Sequence, residues 1–430
     1  MVVMIMVTTI QQALHPFFII CFIMGLGVYP IKQSKLKLRC IIYLSTLYSL
    51  IIWIAYTYFL FYTLNLFTLK VIYPTPINMV VTATNILSLF ISVIMKFCYQ
   101  KRFEICVIRL AAVDDTLEEL GTPKIYRKIH ILGKGILIGW IVYSLAINFD
   151  DTIFWLNRKE TASWGLFLSH ILNYPMHVNT FLDLLFIFFL WYIGTRFDKV
   201  NVHVRCLLVK EEHGLRCTWR KSVLALRRDI SCINNSKRTL WTTMQLHLEL
   251  CRLTRELNSI FGIQMTLEMT SYFLFLTLLC YYLCIILIEG WQKEIQIHIW
   301  FNLSLWIFLF LMKLCVVNYI CENVTVKANE INKIIHQLTN SIRYADVWKE
   351  IYQFTLQIMY HPLKLTGMGF FYLGNDFLRK VYLCIYLFLP LYVVFYIITY
   401  NNSRYFFFNI LLSKLFFYCF PLLHNSFRLL

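Results

Sequence analysis

The feature that most constrains this chain is a series of apolar runs, each about as long as a bilayer is thick. Crossing about 30 Å of hydrocarbon takes roughly 20 helical residues. Runs of that length fall at 40–62, 77–97, 131–149, 166–195, 266–288, 299–320 and 381–400. Hydrocarbon offers no partner to a backbone N–H or C=O, so a spanning run of this length must bond to itself as a helix. The expected fold class is therefore all-α, a polytopic membrane protein with seven transmembrane helices. Only 15% of the residues are charged, where a soluble protein carries about 25%, so no soluble enzyme-like domain is left over. The shorter run Phe17–Tyr29 is broken by glycines and lacks a basic leader and a small-residue cleavage site. It does not read as a signal peptide; it is expected to lie at the interface or to tuck into the bundle.

Charge sets the expected orientation. With the N-terminus inside, the segments 1–39, 96–134, 196–255 and 313–380 hold 33 of the 40 Lys and Arg residues. Basic residues resist translocation, so the richer side is cytoplasmic. This predicts a cytoplasmic N-terminus and an extracellular C-terminus, the inverse of a G-protein-coupled receptor; no Asp-Arg-Tyr or Asn-Pro-x-x-Tyr motif is present either. The net charge of +17 is then a basic face beside anionic lipid, and no nucleic-acid partner is needed to explain it. Lys134 and Lys313 are expected to snorkel toward that face. Gly135 and Gly139 form a small-x-x-x-small pair, expected to serve close helix packing. The outer loops contain no cysteine framework, and no spacing of Cys or His suggests a metal site or a cofactor.

Three apolar stripes at helical spacing lie in the segments read as cytoplasmic. They are Leu246, Leu250, Leu253, Leu257, Ile260 and Gln264; then Ala328, Ile331, Ile335, Leu338 and Ile342; then Ile351, Phe354 and Ile358, after a candidate N-cap at Asp346. They are expected to pack on one another and on other subunits.

Polar residues inside a membrane helix are costly and face the protein interior or water. The second span carries Asn78, Thr82, Asn85, Ser88 and Ser92, and the fourth carries Asn173, His177, Thr180 and Asp183; each set falls within about 120° of arc. Facing each other, the two stripes would form a wet cavity. Trp155, Trp164, Trp300 and Trp306 are candidates for its aromatic walls. The ligand-binding candidates are Asn78, Thr82, Asn85, Trp164, His177, Thr180, Asp183 and Trp306. The alternative is that these groups hydrogen-bond between helices, as polar groups in membrane bundles do.

Three stretches carry a resemblance: "HPFFIICFIMGLGVYP", "QLHLELCRLTRELNSIFGIQMTLEM" and "EIYQFTLQIMYHPLKLTGMGFFYLGNDFL". Together they resemble the insect gustatory receptor family, part of the insect chemoreceptor superfamily related to odorant receptors. The resemblance implies a ligand-gated, non-selective cation channel for small-molecule tastants, assembled in the plasma membrane of a sensory neuron dendrite as a homo- or hetero-tetramer. It implies no enzyme activity. Gln357, Gly369, Phe370, Phe371 and Leu373 match the family's anchor and turn, and Tyr392, Phe395 and Thr399 fall where its pore is lined. The chain then divides into a cytoplasmic segment (1–39), helices one to four with the candidate cavity (40–195), an anchor segment (196–265), helices five and six (266–320), a second anchor part and turn (321–380), the pore helix (381–400) and an atypical tail (401–430).

The tail departs from the family pattern. Thr399-Tyr400 is followed by Asn401-Asn402-Ser403 rather than by five hydrophobic residues and Gln-Phe, and Pro390 interrupts the span. Either the ending is a divergent natural one, or translated intronic or shifted sequence has replaced the family's last segment. Three functions stay open: a taste-type or odorant-receptor-like channel, a non-conducting chemoreceptor subunit, and a secondary transporter. The transporter is disfavoured because no internal repeat is visible.

Overall fold

The computed structural model describes residues 8–26, 35–66, 76–156, 164–217, 223–289, 297–341 and 348–387. The pore candidates Tyr392, Phe395 and Thr399 and the tail 401–430 lie outside the described residues, as do the side chains of Asn78 and Trp300.

Eight helices follow one another: α1 (Ile10–Ile23), α2 (Lys35–Leu66), α3 (Pro76–Glu119), α4 (Tyr126–Leu156), α5 (Gly165–Cys217), α6 (Val223–Glu289), α7 (Ile297–Ser341) and α8 (Trp348–Tyr360). A two-stranded hairpin, β1 (Thr366–Gly367) and β2 (Phe371–Tyr372), leads into a last helix, α9 (375–387). Among the described residues, five helices contain stretches long and apolar enough to cross a membrane: Tyr43–Asn65, Tyr126–Ile153, Gly165–Cys206, Arg238–Cys280 and Leu303–Gln337. α3 adds a sixth when its parts Thr82–Ile94 and Cys98–Glu119, bent by 66°, count as one span. The seventh expected span, 381–400, passes out of the described residues after 387.

Burial distinguishes the helices. In the most apolar window of α5, 78% of residues are buried, against 22% for α2 and 17% for α4. α5 is therefore the central post, packed on α3, α4, α6 and α7, while α2 and α4 present Leu47, Ile51, Ile54, Ile138 and Val142 outward. A polar side chain placed on α5 is thus enclosed by protein, whatever surrounds the outer helices. Many hydroxyls in these helices need no distant partner: Ser49, Thr254, Thr266 and Thr277 each donate to the carbonyl four residues back.

α1 tucks into the bundle. Thr9 and Gln12 form a capping box at its start. Its face of Ile10, Ala13, Leu14, Phe17 and Cys21 is buried against α4. Trp53 Nε1 donates to the Gly25 carbonyl (3.0 Å) and the Tyr174 hydroxyl to that of Met24 (3.2 Å), satisfying carbonyls freed at its end. Phe17 lies over Gly133, where a Cβ would meet its ring at 2.9 Å. This corrects the expectation for the small-residue pair: the close approach falls at Gly133, while Gly135 and Gly139 have no atom within 4 Å of an added Cβ. Gly133 and Gly135 are two residues apart, about 200° around the helix, and so lie on opposite faces.

The three apolar stripes pack within the one chain. Leu246, Leu250, Leu253 and Leu257 of α6, Ala328, Ile331 and Ile335 of α7, and Ile351, Phe354 and Ile358 of α8 are all buried in one core. His247 donates to the Ala328 carbonyl (2.9 Å) and lies edge-on to Phe197 and Phe354, joining α5, α6, α7 and α8.

Candidate functional site

The polar stripe of α5 meets two different partners. Its Asn173 and His177 face α4, where Asn148 is the hub. Asn148 Oδ1 accepts from His177 Nε2 (2.9 Å) and Asn173 Nδ2 (3.3 Å), and its Nδ2 donates to His170 Nδ1 (2.9 Å). Asn173 also donates to Asp151 at 2.5 Å. This exchange of amide, imidazole and carboxylate groups ties α4 to α5, running from the buried Asn148 and His177 out to the exposed His170.

Deeper along α5, Thr180 and Asp183 face α6 and α7. The Tyr272 hydroxyl donates to Asp183 Oδ2 at 2.5 Å. Gln264 Nε2 donates to Glu268 Oε1 at 2.9 Å, and the carboxyls of Asp183 and Glu268 lie within hydrogen-bonding reach of each other. Gln264, Glu268 and Tyr272 recur every fourth residue, which stacks them on one face of α6. Lys313 Nζ donates to Thr180 Oγ1 at 2.5 Å. Its ammonium stands 5.7 Å from the ring centre of Tyr143, 5.5 Å from Tyr272 and 5.5 Å from Phe310. Phe310 in turn stacks on Phe275 (4.2 Å) and Trp306 (5.8 Å). Lys313 is thus held inside the bundle by Thr180 and three rings, which corrects the expectation that it snorkels outward.

The α3 stripe joins the same region from the other side. Asn85 Oδ1 accepts from Ser271 (3.2 Å), and Asn179 Nδ2 of α5 donates to the Asn85 carbonyl (3.3 Å). Ser92 bonds back to the Ser88 carbonyl and Thr82 is half-buried. Trp306 adjoins the cluster through Phe310, whereas Trp164 is 38% exposed and packs on Tyr62 and Phe167, and Trp155 is buried apart with Leu168. The α3 stripe therefore meets α5 through Asn85 and Asn179, the latter not one of the four stripe residues, and the outer tryptophans stand elsewhere. Sequence reasoning missed Glu268, Tyr272, Lys313 and Tyr143. The rule that singled out Asp183, a charged group within a spanning run, applies equally to Glu268 and Lys313; both sit near run ends, where a charge reads as flanking.

The cluster is linked to the start of α9. Asn318, one turn and a little more beyond Lys313 on α7, directs its Nδ2 at the Met269 sulfur (3.7 Å), while its Oδ1 accepts the buried Gly374 amide (2.9 Å). Glu322, one turn further, accepts the Asn375 amide (3.3 Å). The free amides at the N-terminus of α9 are thus capped by α7. Gly374 has φ +155°, and a Cβ there would meet Glu322 Oε2 at 2.3 Å. Just upstream, Met368 and Gly369 turn the hairpin with φ of +49° and +79°. Phe371 stacks on Phe377 at 4.6 Å and Leu373 is buried, while Phe370 is exposed and Gln357 is exposed at the end of α8. Asn329 clasps Leu363 by both its N–H and its carbonyl.

Long apolar helices around a polar interior that gathers two acids, a lysine and an aromatic wall define a polytopic helical membrane protein with an enclosed polar site. The profile of the 7tm chemosensory receptor family matches residues 14–381, and the chain belongs to that family. It is a family of chemosensory receptors and not of enzymes. A Drosophila melanogaster protein carrying the name gustatory receptor 28b is 21% identical over 291 residues, covering 64% of this chain and 60% of that relative. The chain thus spans less than two thirds of that relative's length. In fold it is similar to the insect olfactory receptor OR5 from Machilis hrabei, solved in complex with eugenol: TM-score 0.53, 14% identity, 89% of this chain and 98% of that one.

Proposed function

We propose that this chain is a taste-type chemoreceptor subunit of the plasma membrane, a ligand-gated cation channel opened by small molecules. Seven spans, a cytoplasmic N-terminus and tetrameric assembly complete the reading. The observation that carries it is the continuity from the buried Asp183–Glu268–Tyr272–Lys313 cluster, through Met269 and Asn318, to the first amides of the last helix. A ligand that repacks the cluster would shift Met269 and Asn318, and so the start of the helix assigned to the pore. Coupling through such a chain requires a two-state element; the hairpin and α9 are that element in this reading. The eugenol complex of the fold relative supports a small-molecule ligand of modest size.

Calcium influx in cells expressing the chain, on application of a ligand panel, tests the channel. Tag accessibility on intact cells tests the orientation: an N-terminal tag reached from the medium would overturn it. The departure after Thr399 favours a second reading, a non-conducting subunit. In that case current appears only when a partner receptor is co-expressed.

A further inference from the structure

We propose that the Lys313 cage is a recognition site for an organic amine, with Lys313 as its built-in occupant. The inference deepens the small-molecule reading above by naming the ligand class.

Three aromatic rings stand 5.5 to 5.7 Å from Lys313 Nζ, the distance at which a cation is attracted to a ring face. Rings on three sides form the kind of cage that takes alkylammonium groups. Behind the cage lie Asp183 and Glu268, both fully enclosed and both within the electrostatic range of Lys313. Among the described residues no cation is in ion-pair contact with either carboxyl, and Lys313 bonds instead to the neutral Thr180 hydroxyl. Two carboxyls thus lie behind one lysine, which is held off at the cage.

Lys313 and Tyr143 are half-buried, whereas Tyr272 and Phe310 are buried as deeply as Asp183 and Glu268. The cage is therefore open on its Tyr143 and Lys313 side, with the other two rings and the acids behind. The Tyr143 hydroxyl is enclosed without a hydrogen-bond partner, leaving an acceptor at the cage for an incoming N–H. Lys313 is tethered by a flexible chain that can withdraw, so an untethered amine could replace its head group, and the displaced ammonium would report occupancy to α7 and thence to Asn318.

The test uses the full-length chain in detergent, read by thermal shift with n-butylammonium chloride and, as its neutral counterpart, n-butanol. In Lys313→Ala, butylammonium fills the vacated cage and binds about tenfold tighter than it does to the unaltered protein, while butanol gives no selective stabilisation. Asp183→Asn combined with Glu268→Gln removes that preference. Equal shifts by amine and alcohol in Lys313→Ala, or an amine preference that survives loss of both acids, overturns the proposal. Should Lys313→Ala fail to fold, Lys313→Met and the unaltered protein carry the same comparison, and equal responses there overturn it too. The readout needs no current: amine binding in a chain that never conducts sinks the channel reading and leaves this one standing.

Discussion

Two buried polar clusters hang on the same helix, and they are built on opposite principles. Asp114 of α3 and Arg196 of α5 pair at 2.7 Å, with side chains 0% and 2% exposed. Tyr192 donates to Asp114 and accepts from Arg196 (2.7 Å), and Arg196 lies over the Tyr192 ring at 4.7 Å. One cation faces one anion, and the Tyr192 hydroxyl bridges them. Thirteen residues back along α5 from Arg196, about three and a half turns, Asp183 and Glu268 face a single lysine that bonds to neither. The matched cluster has every reason to stay shut. The second leaves its acids out of contact with any described cation. Burial alone therefore does not separate a structural lock from a binding site; whether the charges touch does.

Breaking the matched cluster should give the largest effect. Arg196→Met leaves Asp114 buried and unpaired, at about 3–5 kcal/mol. Loss of surface expression is expected, and replacing Asp114 by Leu in the same chain should restore much of it. If Arg196→Met alone reaches the surface normally, the lock is not structural.

Next in size is the link to the last helix. Asn318→Ala orphans the buried Gly374 amide, a loss of about 1–3 kcal/mol. Gly374→Ala forces a side chain onto Glu322 at a φ that L-residues avoid, with a loss of similar size. Both should blunt the ligand response more than they lower the melting temperature, because the disturbance sits at one helix end. Hydrogen exchange over 374–378 should quicken in both variants; unchanged protection would remove α7 as the cap.

Asp183→Asn sharpens the contrast. It keeps an oxygen to accept from Tyr272, so surface expression should hold. Ligand potency should shift by about tenfold. A dose–response curve that overlays the parent would take Asp183 out of the site.

The smallest effect belongs to the exposed trio on the α3–α4 connection. Lys124 pairs with Asp115 and Glu118, each at 2.7 Å, and hydrogen bonds to these two carboxylates hold its pKa above the ordinary lysine value. A raised pKa adds stability that is lost only as pH climbs through the alkaline range, so melting near neutral pH should not depend on it. Lys124→Ala should lower stability by less than about 1 kcal/mol, since both acids are open to solvent.

Much of this was legible from residue order. The apolar stripes of α6, α7 and α8 bury most of the described positions their spacing marked, with Ile260 half-buried and Leu338 and Ile342 outside the described side chains, because 3.6-residue periodicity and a need for cover suffice to choose a face. Asp183 was legible because a carboxylate inside an apolar run has few tolerable surroundings. Gly133 was hidden by the more regular pair at 135 and 139, since helical spacing says which glycines share a face but not which face is touched. Lys313 was misread because a lysine near the end of a run can equally reach out to water or turn inward.

The sequence by itself determined the all-helical build, the apolar spans and the family to which the chain belongs, because bilayer thickness, backbone satisfaction and motif order are one-dimensional constraints. Only the tertiary structure decided that Asp183 and Glu268, 85 positions apart, face each other, that three rings from three helices close on Lys313, and that α7 caps α9. The physical reason is that hydrogen bonds and cation–ring contacts act over a few ångströms. Which groups come that close depends on how the helices rotate and cross, and helical spacing leaves both free.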